Sequence, residues 1–499
     1  MSSANILLNS YKWVIVARWI GRFAGIISTL ILVRILSPDD YGIAAQALFV
    51  LMLFDALSHT GTEQFVIKQK EVSDSCLFTA WTLNLILKST VGLCLFIFSS
   101  SIASFMNEPR LDAVLQWTSL IAILDSLRSP ALIIRKRNMD FRTISTIDIS
   151  SKLLTVIFTI TMGFILRDYW ALVFANIFSS FLIVMISYFV APSNLKLTLE
   201  NVKAQFKFAR GIFVTSVIGY IRAKLDILII SKKFGSSATG HYSIGQEFSI
   251  LPYTEAIAPL TQPLYSSLAK IQDDSAKLKN HLFKYLGLSY SLVVPAALGI
   301  FLLADQIVLI LFGEQWVETT PVLAYLSFLM ITFVTNGAYK IIFTLKSKFW
   351  SIGLLDLIGI ILVSLAFLLE SLVTLEDFAV YRTVVGILVL SLSIVIAKLY
   401  INYEINLVLR ALLIPVVASF IMGALILLLQ SPVSSAIGVP LFSLLAIVFI
   451  SAIGYFLIWL ALSFALRNKH YIWEFGFQFA VAQFKSAIKK VKGIWLPTL

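Results

Sequence analysis

The sequence is poor in charge: aspartate, glutamate, lysine and arginine make up 13% of its 499 residues, against about 25% in soluble domains. That shortage excludes an ordinary soluble enzyme, and a hydrophobic content of 59% places the chain in a membrane. Cysteine is nearly absent. Cys76 and Cys94 have no metal-ligand spacing, which excludes a disulfide scaffold and a zinc site. His59, His241, His281 and His470 are scattered, and there is no Asp-x-Asp, loop-borne carboxylate pair or glycine-rich phosphate loop. No nucleophile, acid/base pair or metal set can be assembled from this inventory, so catalysis is not expected. Long polar stretches are also missing. Polytopic glycan polymerases and glycosyltransferases mount their chemistry on a sizeable outer loop, and no break here is long enough for one.

What is present is apolar sequence in blocks of roughly 20 residues, each sized for a hydrocarbon core about 30 Å thick. They predict an all-α polytopic membrane protein of about fourteen transmembrane helices, at 12–34, 42–66, 77–103, 113–134, 144–166, 169–191, 208–231, 240–268, 285–312, 321–345, 350–370, 378–400, 410–430 and 438–466. The first block is too long and too polar for a cleaved signal peptide and is expected to be retained. Breaks after even-numbered blocks collect cations, among them Arg135, Lys136, Arg137, Arg142, Lys196, Lys203, Lys277 and Lys279, whereas breaks after odd-numbered blocks hold Asp39, Asp40, Glu108, Glu314 and Glu376. Positive residues favour the cytoplasmic side, so both termini are expected there. Topology and contact with anionic membrane lipids then account for the net charge of +12, and nucleic-acid binding is unnecessary.

A weak internal repeat lies at an offset near 200 residues. "ILVRILSPDDYGIAAQ" (Ile31 to Gln46) overlays "IISKKFGSSATGHYSIGQ" (Ile229 to Gln246), each closing one crossing, turning through Gly, Pro or Ser, and opening the next near a Tyr and a Gln. The repeat divides the chain into a six-helix lobe over 1–205, a second over 206–400 and two added helices within 401–466. An even number of crossings per half relates the halves by an axis along the membrane normal, with a site at their interface. The tail, 467–499, spaces Phe477, Val481, Phe484, Ile488, Val491 and Trp495 by fours and threes, with lysines on its other faces. That pattern predicts a basic amphipathic helix on the cytoplasmic surface.

Ionisable residues inside such blocks are the first candidates for function. Arg18 and Arg22 lie four apart in the first block, on one helical face. Arg18 is nearer the end and two readings stand for it, a cavity wall or a head group reaching back to the surface; Arg22 is deeper. Lys88 lies in the third block, and Arg222, Lys224 and Asp226 in the seventh. Arg222 occupies the repeat-related position to the first-block arginines, although an internal pair with Asp226 at i,i+4 is the competing reading. Arg128, Asp148 and Lys152 are expected to snorkel to the inner interface. The eighth block carries Pro252, Pro259 and Pro263, which predict kinks. Asp226, Glu247, Glu255 and Asp356 are the acids that could bind a coupling Na⁺ or H⁺; no metal site or other cofactor is expected.

"RILSPDDYG" (Arg34 to Gly42), "SLAKIQDDSAKLK" (Ser267 to Lys279), "VPAALG" (Val294 to Gly299) and "LFGEQWVETTPVL" (Leu311 to Leu323) resemble, in the same order over nearly the whole chain, the polysaccharide-transport (PST/Wzx) branch of the MOP exporter superfamily. The resemblance implies a flippase for undecaprenyl-diphosphate-linked oligosaccharide repeat units in the bacterial inner membrane. It also implies two six-helix lobes in a V around a central cavity, with two further C-terminal helices and alternating access between the sides. On that reading the diphosphate headgroup sits among Arg18, Arg22, Lys88, Arg222 and Lys224, because guanidinium matches phosphate oxygens bidentately and lysine acts as a point charge. A polysaccharide polymerase is a candidate partner. The nearer rival is an ion-coupled multidrug or other lipid-linked precursor exporter of the same superfamily, although cationic drugs favour an acidic cavity, opposite in sign to these arginines.

Overall fold

Helix is the only regular structure among the described residues of the computed structural model, which are 3–58, 61–69, 71–402, 405–479, 481 and 482; of 3–16, 141, 207–215 and 401 the backbone alone is described. The chain forms two compact units, Met1–Ser243 and Ile244–Leu499.

The first unit runs through α1 (Ser3–Leu32), α2 (Pro38–Ser58), α3 (Asp74–Ile97), α4 (Leu111–Ser126), α5 (Phe141–Leu166), α6 (Trp170–Val190) and the greater part of α7 (Val202–Ser249). Local sequence sets the ends. Ser37 and Asp40 form a capping box at the start of α2, the Ser37 hydroxyl accepting from the Asp40 N–H at 3.2 Å and the Asp40 carboxylate accepting from the Ser37 N–H at 2.9 Å. Pro38, at the first helical position, loses no hydrogen bond there. Ser73 and Asp140 cap α3 and α5 through the N–H groups of Cys76 and Thr143. α7 breaks at Gly235, whose φ of 86° and ψ of −172° suit glycine alone; this is the Gly/Ser turn expected between the seventh and eighth crossings. α5 packs along both α1 and α6, and α3 against α4.

The second unit continues with α8 (Ser275–Ile307), α9 (Thr319–Leu345), α10 (Phe349–Ser364), α11 (Leu375–Ile401), α12 (Asn406–Ile437) and α13 (Pro440–Leu466). Before α8 the proline-rich stretch is not one straight helix. It passes through a π-type turn (Tyr253–Ile257) and a 3₁₀ turn (Ala258–Leu260) before the helix Thr261–Ala269, in keeping with prolines that remove backbone donors. α8 lies on α12 over a core containing Leu282, Leu286, Tyr290, Ala411 and Met330. Helix 471–479 folds back on this unit, where Trp473 donates its indole N–H to the Arg410 carbonyl at 2.9 Å. Residues 483–499, which hold most of the expected tail helix, lie outside the described residues.

Each expected crossing coincides with helix, yet the count of fourteen is not reproduced by length and composition. Ten helices of the described residues are long and apolar enough to span a membrane, and an eleventh forms if α4 and Ala131–Arg137, bent by 62°, act as one. α7 is not among them because Arg222, Lys224, Asp226, Lys232 and Lys233 crowd its middle. The second crossing is shorter than expected. It ends at Ser58, so Glu63 stands in the separate short helix Thr62–Lys68, where its carboxylate takes Lys136 at 2.6 Å.

Candidate functional site

α1 has two faces. At 100° per residue Arg18, Gly21, Arg22 and Gly25 fall at i, i+3, i+4 and i+7 and share one stripe. Trp19, Ile20, Phe23 and Ile27 lie on the opposite side and are exposed; Trp19 and Phe23 stack with ring centroids 5.6 Å apart. The second face suits lipid and the first does not.

The stripe meets α5. A Cβ on Gly21 would stand 3.7 Å from Lys152 Cγ, and one on Gly25 would stand 3.7 Å from Cε and 3.8 Å from Nζ. Eleven residues further along both helices, a Cβ on Gly163 would strike Leu32 Cδ2 at 2.4 Å, so α1 and α5 run parallel. The Lys152 chain therefore climbs α1 from the level of Gly21 to that of Gly25, away from the N-terminal ends of both helices. This differs from the expected snorkelling toward those ends. The reason is room, because two glycines without side chains leave a groove that accommodates the lysine stem. Three cations facing hydrocarbon would cost roughly 8 to 10 kcal/mol at about 2.5 to 3.5 each, an amount comparable to the whole stability of a typical domain. The stripe therefore needs polar surroundings.

The other expected residues divide by their surroundings. Lys88 on α3 donates to Asp55 on α2 at 2.7 Å, with the lysine side chain 16% and the aspartate 43% exposed. α7 joins α2 through the Tyr220 hydroxyl, which donates to the Phe49 carbonyl at 2.7 Å, and carries Arg222 exposed and Lys224 half-buried. Asp226, by contrast, is buried and accepts from the Tyr242 hydroxyl at 2.8 Å. In the second unit Glu247 and Glu255 are half-buried, Glu255 within the π-type turn, and Asp356 takes the Lys340 ammonium at 2.8 Å. Arg128, expected at an interface, pairs with Asp125 at 2.5 Å. Among the described residues no group of three or more His, Cys, Asp or Glu is arranged to hold a metal ion.

At the far end of the first unit, where the turns before α2, α4 and α6 and the Gly235 break lie, a second polar cluster forms. Arg110 donates from Nε to Glu108 Oε1 at 2.7 Å and from Nη2 to Oε2 at 2.9 Å. The same guanidinium reaches Asp39 and, at 3.3 Å, Ser236 Oγ, whose hydroxyl in turn donates to Asp39. Nearby, Asp40 accepts from the Tyr169 N–H at 3.1 Å. Burial, opposed by that same N–H's bond to Asp168 and reinforced by the Asp40 carboxyl, raises the Asp168 pKa.

Ten helices long and apolar enough to cross a membrane among the described residues define a multi-pass membrane protein. A profile described as polysaccharide biosynthesis protein matches residues 31–321, more than half of the chain, and the chain belongs to that family. It is 26% identical over 334 residues to the lipopolysaccharide biosynthesis protein WzxC of Escherichia coli (strain K12), covering 65% of this chain and 67% of that protein. In fold it is similar to the lipid II flippase MurJ in its inward closed conformation, with a TM-score of 0.72 at 16% identity, over 91% of this chain and 98% of that one. It is also similar to a multidrug resistance MATE transporter of the MOP superfamily in its outward-facing conformation, with a TM-score of 0.51 at 13% identity, over 79% and 95% of the two chains.

Proposed function

We infer that the protein is a flippase for lipid-linked oligosaccharides in polysaccharide biosynthesis, a transporter and not an enzyme. The observation that carries this reading is the stripe of Arg18 and Arg22 on α1, opposite an apolar lipid-suited face, in a chain of the polysaccharide biosynthesis family. A lipid diphosphate carries about two negative charges and cannot cross hydrocarbon alone; fixed guanidinium groups supply a route. Arg222 and Lys224 of α7 extend the wall, and Lys88 contributes through its pair with Asp55. The carrier is undecaprenyl diphosphate and the site of action the bacterial inner membrane, with both termini cytoplasmic. Fourteen crossings, arranged as lobes 1–205 and 206–400 with two added helices, expose this wall to each side in turn. Asp226, Glu247, Glu255 and Asp356 are the acids through which Na⁺ or H⁺ would drive the cycle, anionic lipids attend the basic tail, and a polymerase receives the product. A multidrug exporter would need the opposite charge on this wall for cationic cargo.

In a strain lacking its own exporter, Arg22→Ala and Arg222→Ala are expected to abolish polysaccharide export while the protein remains in the membrane at its normal level. Full export by both variants would overturn the assignment.

A further inference from the structure

We propose that Lys152 is a further cation of the headgroup site, held in place by the glycine groove of α1, and that it binds the lipid diphosphate together with Arg18 and Arg22. The proposal rests on the flippase reading and names a residue which that reading does not require. Three observations carry it. First, the lysine stem follows Gly21 and Gly25, so its ammonium stands at the level of Gly25, which shares the stripe of both arginines. Second, Lys152 is the twelfth of the 26 residues of α5 and is exposed there, with its chain directed away from the end it would seek as a surface anchor. Third, Asp148, one turn earlier on α5, is the only acid of that helix and makes no ion pair with Lys152 among the described residues, so the Lys152 charge is not neutralised along its own helix.

The groove fits this role. Any side chain at Gly21 or Gly25 larger than a methyl group would occupy the space through which the stem runs, whereas a methyl would make ordinary contact at 3.7 Å. A flexible ammonium beside two planar guanidinium groups gives an anion site with two bidentate forks and one adjustable point charge. Such a site suits a diphosphate, whose second phosphorus carries oxygens that two forks on one helix face leave uncovered.

The test uses the full-length protein in nanodiscs of neutral lipid, with undecaprenyl diphosphate as the probe and phosphatidylglycerol and inorganic pyrophosphate as comparison arms. Lys152→Met keeps the stem in its groove and removes the charge; it is expected to weaken undecaprenyl diphosphate binding at least tenfold with an unchanged melting temperature. Gly25→Leu, which keeps the lysine and displaces it, is expected to weaken binding similarly, and Gly25→Ala to leave it within twofold. Equal loss for phosphatidylglycerol would show a general lipid-phosphate site and overturn the diphosphate assignment. Unchanged binding by Lys152→Met would overturn the proposal while leaving the flippase reading standing, whereas a wild-type protein that binds no lipid diphosphate would overturn both.

Discussion

Gly42 and Gly240 meet backbone to backbone although 198 residues separate them. A Cβ on Gly42 would lie 1.8 Å from the Ser236 carbonyl oxygen, and one on Gly240 would lie 1.8 Å from that of Pro38. The contact is reciprocal, for each added Cβ would also approach the other glycine's nitrogen to about 3 Å, at 3.1 Å and 3.0 Å. Each glycine meets the residue four positions before the other glycine, so the two chain segments approach one another in the same way from both sides. Neither carbonyl can rotate away as a flexible side chain would. Gly42→Ala and Gly240→Ala are therefore each expected to destabilise by about 1 to 3 kcal/mol or more, the cost of overpacking. Gly219→Ala in α7, where nothing stands within 4 Å of the added methyl, should be neutral or stabilising by up to about 1 kcal/mol. Thermal unfolding in one detergent compares the three, and a Gly42→Ala protein as stable as Gly219→Ala would contradict the tight approach.

Arg110 and Glu108 make a pH-dependent contribution. The hydrogen bonds from Arg110, acting against burial, hold the Glu108 carboxyl below the usual range, and its side chain is only 11% exposed. A depressed folded-state pKa means that the folded protein binds fewer protons than the unfolded chain. The stabilisation is thus complete above the ordinary glutamate value of about 4.3 and is lost as the pH falls through the folded value. Arg110→Gln leaves a buried carboxylate without its cation, at a cost of about 1 to 3 kcal/mol near pH 7. Acidification should then narrow the gap to wild type, because protonation relieves the variant and harms the parent. Melting temperatures at pH 7 and pH 4 decide it, and a gap that does not narrow counts against the pair.

Much of this architecture is legible from sequence because it is local. Block length marks the helices, Pro252, Pro259 and Pro263 mark the irregular turns that follow α7, and the four-residue spacing of Arg18 and Arg22 already puts both on one face. Distant partners are not legible. Nothing near Lys88 in the chain announces Asp55, 33 residues earlier, and neither glycine of the Gly42–Gly240 contact carries a mark of its partner. Lys152 was readable only in part. A lysine stem can point either way along a helix, and the deciding signal was on another helix, in glycines 21 and 25 sharing the stripe of the arginines. Glu63 left the second crossing because α2 ends at Ser58 and the chain resumes in a short helix of its own.

Lys340 and Asp356 form an ion pair in the second unit with side chains 30% and 17% exposed. A partly buried pair often does little better than apolar residues of similar size, whereas removing one partner leaves a charge in a poor solvent. Asp356→Leu alone should lower stability by about 1 to 3 kcal/mol, and Lys340→Met with Asp356→Leu should recover most of that loss. Transport by the stable double variant then tests coupling directly. Full activity would remove Asp356 from the ion path, and an inactive but stable protein would keep it there.

The Lys88–Asp55 pair allows the proposed headgroup wall to be divided into residues that would touch cargo and residues that would balance charge. Lys88 is the more buried partner, and its 2.7 Å contact commits the ammonium to a carboxylate. Lys88→Ala exposes the wall to an uncompensated negative charge, which repels a diphosphate, so export should fall by tenfold or more. Asp55→Asn combined with Lys88→Gln removes both charges and keeps polar groups of similar size; it is expected to restore at least half of the export. No such rescue is available to Arg22→Ala if that guanidinium meets the phosphates itself. Export measured across the four proteins separates the roles, and a double variant as inactive as Lys88→Ala would place Lys88 in direct contact with the headgroup.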